Sequence, residues 1–322
     1  MTNSINYSLQ AANQPQYYVV QPQNKKNKLT FTQAGTSMAL GATTPLSFMA
    51  LKVLYGQTLL VLKNYFNEHL DKNTLKEVQT AGEKVLEKTG LKNKGLVIYD
   101  ADKMNIQDYY KDIWGVKKLK IFPSKSLFKS IIDYWKIKKF DGRFYSVKNG
   151  NNAFCTINNK ILVNKNSIMA FSIPHEIGHA LNFNDKGITR FLQKSKVIPK
   201  KYKLFPIIFL TSLFKNKKEE GEKTTGVFDK ITTFIKDNCG KLTFITFLPT
   251  LAEEGLASVK GLKFAKEFLS PKNFKYMKNF YSIAWSTYFA SALSMSLGVA
   301  AASKVTDSMK EHFRNKNSKK IA

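Results

Sequence analysis

Apolar residues at Leu70, Leu75, Val78, Val85 and Leu86 recur at helical spacing, and with Gly90 as a C-terminal stop they predict an amphipathic helix over 63–90. The period then shortens. "GLVIYD" at 95–100 predicts a strand, and "RFYSV" (143–147), "NAFCTI" (152–157) and "KILVN" (160–164) are short β-favouring runs between Asn/Gly/Lys turns, which predict a small antiparallel sheet. Further on, "LFPIIFLTSLF" (204–214) and "LTFITFLPTL" (242–251) are apolar but too short to cross a bilayer alone. Residues 279–303 carry no charge and form a candidate transmembrane helix, although their Ala, Ser and Gly content suits a soluble core helix equally well. From Leu29 to Leu62 only Lys52 is charged, so 29–62 reads as a candidate membrane anchor or a buried helical hairpin. Residues 1–28, rich in Asn, Gln, Ser and Tyr, read as a disordered polar tail, and 304–322 as a basic tail. One folded unit, 63–278, lies between these segments.

Composition narrows what that unit does. A chain of 322 residues that is 43% hydrophobic can bury a core large enough for a catalytic domain. The formal net charge of +28 raises nucleic acid or anionic lipid as partners, but the only arginines are Arg143, Arg190 and Arg314. Base-specific readout favours arginine's planar fork, so no specific nucleic-acid partner is expected. The two cysteines, Cys155 and Cys239, form neither a disulfide framework nor a CxxC pair, so any metal site must use histidine and carboxylate.

The sequence "SIPHEIGHALN" at 172–182 contains His-Glu-x-x-His. On a helix this spacing sets His175 and His179 one turn apart on one face, both able to reach one tetrahedral zinc, with Glu176 in reach of a metal-bound water as general base. With only four histidines in the chain the spacing is rarely accidental. Pro174 is tolerated if Ser172 caps the helix and the proline falls in its first turn. Two carboxylates compete for the third ligand position. Glu254 lies in "LAEEGLASVKG" at 251–261, a second predicted helix whose Ala257 and Gly261 offer a small face to the first. Asp185, at the third-ligand position of the metzincin pattern, is the nearer rival, with Asn182 in place of that pattern's turn glycine. Glu253 points about 100° away from Glu254 on a helix, so the two cannot both face one metal, and substitution of Glu253 is expected to be silent.

These parts, in order, resemble the membrane metallopeptidase family of HtpX and the CAAX prenyl endopeptidases over roughly 70–260: an amphipathic helix ending in "KTGLKNKGLVIYD", then "NAF", "HEIGHALN" and "EEGLAS". The resemblance implies Glu254 as the third ligand of a single zinc ion, and Asn152, Ala153 and Phe154 beside a polypeptide substrate. Ser258 stands where that family carries aspartate in Glu-x-x-Ala-Asp. The expectation is an α+β fold: a mostly helical, zincin-like metallopeptidase domain with a small antiparallel sheet and candidate transmembrane helices. Its alternatives are a metzincin-like protease using Asp185, or a non-catalytic membrane or nucleic-acid-binding protein that keeps the metal-binding helix pair. Membrane association is expected, with a cytoplasmic protein as the alternative.

Overall fold

A computed structural model of the chain describes residues 29–45, 70–115, 127–156, 158–196, 198–218 and 226–319. The expected polar tail 1–28, most of the expected anchor (46–62) and the start of the helix expected from 63 lie outside them. The helices are α1 (31–45), α2 (Lys72–Lys88), α3 (Ile106–Asp108), α4 (Leu127–Lys148), α5 (Ile173–Asn184), α6 (Ile188–Ser195), α7 (Ile198–Lys201), α8 (Leu204–Phe214), α9 (Gly226–Asp237), α10 (Cys239–Ala265) and α11 (Pro271–Lys319). The strands are β1 (Val97–Asp100), β2 (Phe154–Thr156) and β3 (Lys160–Val163). The protein is thus mostly helical with one small sheet, an α+β arrangement.

The sheet differs from the expected antiparallel one. Its order is β1-β3-β2, with β2 and β3 antiparallel and β1 parallel to β3, Val97 opposite Lys160 and Asp100 opposite Val163. A parallel pair needs a crossover, and α4 lies in that crossover. The run 143–147, expected as a strand, is the last part of α4. Phe140, Phe144 and Val147 recur at helical spacing, and Phe144 and Val147 are buried with Tyr109 and Ile113 against Leu162. That packing overrides local β preference.

β3 shows why the sheet is stable although it is small. Ile161, Leu162 and Val163 are all fully buried. Successive side chains point to opposite faces, so Ile161 and Val163 meet Val78, Val85, Ile173 and Ile177 of α2 and α5, whereas Leu162 meets the aromatic group under α4. Each such burial contributes roughly 1.5–3 kcal/mol. Helices therefore cover both faces, and the chain leaves β3 directly for the short 3-10 turn Ile168–Ser172 that opens α5.

α5 and α10 approach at backbone distance. A Cβ on Gly178 would lie 2.1 Å from the Ala257 carbonyl oxygen, and one on Gly261 would lie 2.5 Å from the Pro174 carbonyl oxygen. Glycine at both points lets the two helices present their side chains to one another across a minimal gap. Gly178→Ala is expected to destabilise the fold by about 1–3 kcal/mol, because backbone cannot yield as a side chain would. A denaturant midpoint unchanged from wild type would contradict this contact.

α10 is held in turn by α11, where Trp285 donates to the Leu251 carbonyl at 3.0 Å and Tyr281 donates to the Phe171 carbonyl at 2.8 Å. The stretch 304–319, expected as a basic tail, is the last part of α11. It packs on α1, where a Cβ on Gly41 would strike Thr306, and Lys310 donates to the Leu213 carbonyl at the end of α8. Among the described residues one helix, α11, is long and apolar enough to cross a membrane, and only 22% of its most apolar window is buried.

Candidate metal centre

The first turn of α5 is built as expected around Pro174, which occupies a position where no intrahelical N–H is needed. Ser172 occupies the N-cap position as expected, but its side chain makes no capping hydrogen bond; its hydroxyl donates to the Met169 carbonyl at 2.6 Å inside the preceding 3-10 turn. Helical spacing then places His175 and His179 with ring centroids 4.5 Å apart, and both face α10.

Each imidazole is oriented through its Nδ1. Ser258 donates its hydroxyl to the Glu254 backbone carbonyl at 3.0 Å, so its oxygen is left to accept Nδ1–H of His175, also at 3.0 Å. The residue standing in place of the family's aspartate therefore does contact a histidine. His179 donates Nδ1–H to Oε1 of Glu253 at 2.7 Å. Both Nε2 atoms are thereby turned towards the same point, and Glu254 meets them there. Its Oε2 lies 3.4 Å from Nε2 of His175 and 3.4 Å from Nε2 of His179.

That oxygen is buried and has no hydrogen-bond partner. An orphaned buried carboxylate oxygen is costly unless a cation completes it. Four-coordinate zinc with bonds of about 2.1 Å sets its ligand atoms ~3.4 Å apart, so the spacing of these donors fits such an ion. The charges fit it as well. Burial alone would lower the pKa of His179, but Glu253, Glu254 and Glu176 together raise it to about 10. Against the burial that would raise it, the two imidazoles hold the Glu254 carboxyl well below the ordinary carboxylate range. The pocket thus favours positive charge.

Glu176 sits beside this cluster and is buried, and its carboxylate can be placed within 4.8 Å of ligand atoms of both histidines. Burial pushes its pKa up, partly offset by His179, His175 and the backbone N–H of Cys155 on β2. β2 packs against α5 beside Glu176. Of the residues expected beside a substrate, Asn152 is exposed and accepts from the Ala153 N–H at 2.9 Å, Ala153 is buried, and Phe154 stacks on Trp114 with centroids 6.2 Å apart. β2 is the end strand of the sheet, so the edge opposite β3 has no strand beside it among the described residues.

Asp185 lies elsewhere. It is the exposed C-terminal cap of α5, and its carboxylate accepts from Lys260 at 2.9 Å and from the Lys186 N–H at 2.8 Å, which hold its pKa at about 2. "LSMS" at 293–296 is helical within α11 and does not form the methionine-containing turn that a metzincin-like site would need. Sequence reasoning missed Gln193 and Lys196, which α6 brings onto Glu253. No family model matches the chain, and neither the curated proteins nor the solved structures contain a significant match.

Proposed function

We propose that the protein is a zinc-dependent endopeptidase of the HtpX and CAAX prenyl endopeptidase type. The observation that carries this reading is the convergence of His175 Nε2 and His179 Nε2 on Glu254 Oε2, each 3.4 Å from it, with a buried Glu176 alongside. His175, His179 and Glu254 would hold the ion. Zinc there would supply a water of lowered pKa and a Lewis acid for the scissile carbonyl.

The chain's own residues do the rest. Glu176 accepts the water proton on its carboxylate and returns it to the leaving amine nitrogen. Its burial raises its pKa above the ordinary carboxylate value and so makes it a stronger base. The outer edge of β2 offers backbone groups to an extended polypeptide, with Asn152, Ala153 and Phe154 along its course. Buried ligands around a carboxylate poised as a base favour this over a silent scaffold, which has no use for Glu176. The test is purified full-length protein in detergent, assayed for bound zinc and for peptide hydrolysis before and after chelation. Stoichiometric zinc with turnover that chelation abolishes and zinc restores is the expected result; zinc with no turnover on any unfolded polypeptide would leave only the scaffold.

α11 completes the proposal as a membrane anchor. Its uncharged stretch 279–303 is about 37 Å long as a helix, enough for a hydrocarbon core of ~30 Å. Leu293, Leu297 and Phe289 on it are exposed. The protein is expected to sediment with membranes after an alkaline wash. Release into the supernatant without detergent would make α11 a soluble helix.

A further inference from the structure

Glu253, set aside as a bystander when the sequence is read alone, is fully buried. Its Oε1 accepts from Nδ1–H of His179 at 2.7 Å, from Nδ2 of Asn182 at 3.2 Å and from Nε2 of Gln193. Its Oε2 accepts from the Lys196 ammonium at 2.7 Å. Four donors from α5 and from α6 with its end thus converge on one carboxylate of α10.

A structural explanation alone does not account for this arrangement. Burying a carboxylate and an ammonium together stabilises a fold poorly, because the desolvation of both ions offsets their attraction. A pair of apolar side chains would join α6 to α10 as well. What the carboxylate does that an apolar residue cannot is accept the Nδ1 proton of His179, which fixes the ring with Nε2 on the Glu254 side, where a metal ion would take that nitrogen's lone pair. Lys196 balances its charge in a pocket that already holds Glu176 and Glu254, and Gln193 and Asn182 occupy its remaining lone pairs so that it cannot rotate away.

We propose that Glu253 is a positioning residue for the metal ligand His179, and that α6, through Gln193 and Lys196, exists in part to hold that carboxylate in place. The inference rests on the metal-site reading above. It extends that reading to a residue off the metal and to a helix that contributes no ligand.

The test is zinc affinity, read by competition with a chromophoric chelator, for full-length wild type, Glu253→Ala, Glu253→Gln and Lys196→Met in detergent. Alongside it, ring-nitrogen spectra of 15N-histidine protein report which nitrogen of His179 carries the proton. Glu253→Ala is expected to weaken zinc binding about 10–100-fold. Its His179 should lose the fixed Nδ1–H signature. Glu253→Gln keeps the volume and one acceptor oxygen and should fall between it and wild type; if the alanine variant does not fold, this variant carries the test. Lys196→Met removes the ammonium on Oε2 and leaves the Nδ1 contact on Oε1, so zinc affinity should fall by less than in Glu253→Ala while the Nδ1–H signature persists. Zinc affinity within twofold of wild type in every folded Glu253 variant would overturn the proposal. So would equal loss of the signature in Lys196→Met, which would mark a merely structural role. A wild type that binds no zinc would instead sink the metal-site reading itself.

Discussion

Glu176→Gln is expected to keep zinc and fold while losing about 10²–10⁴-fold in hydrolysis, the range that a positioned general base supplies. The ligand atoms His175 Nε2, His179 Nε2 and Glu254 Oε2 are untouched by the change. Glutamine keeps the shape of the side chain and an acceptor oxygen, so the buried position is filled as before. What it cannot do is take a proton. Zinc content and turnover measured on one preparation separate the two functions. Turnover near that of wild type would show that another group acts as the base, and the proposed mechanism would fall. Loss of zinc together with turnover would instead place Glu176 among the ligands.

The parts of this site that sequence made visible are those fixed by a single helix. The spacing from His175 to His179 needs only helical periodicity to bring two rings onto one face, and the structure places them so. The small face at Ala257 and Gly261 was equally readable, because close backbone approach has few residue solutions, and those residues do sit against Gly178 and Pro174. What periodicity could not supply was partnership across the fold. Gln193 and Lys196 look like ordinary solvent-facing residues of a short helix, and nothing local shows that α6 turns them onto Glu253. The run 143–147 failed for a related reason: its β-branched and aromatic residues suit a strand, but Phe144 and Val147 share a helix face with an aromatic cluster to fill. The parallel pairing of β1 with β3 was hidden because it depends on where α4 carries the chain between them.

The remaining expectation separates the two carboxylates that sequence left in competition. Glu254→Ala should lose zinc, and by more than the ~10–100-fold that a change behind a ligand costs, because it removes one of three donors to the ion. Asp185→Ala should retain it. The geometry gives the reason: Glu254 Oε2 is buried, unpartnered and 3.4 Å from both imidazole nitrogens, whereas Asp185 is exposed and already engaged by Lys260 and the Lys186 N–H. For Asp185 to reach the site, the end of α5 would have to unwind and give up those contacts. Removing Glu254 leaves the Glu253 contact on His179 intact, so the metal-free variant should remain folded. Bound zinc is measured in both variants at matched circular dichroism. Zinc kept in Glu254→Ala and lost in Asp185→Ala would replace this centre with a metzincin-like one, and with it the role given to α10.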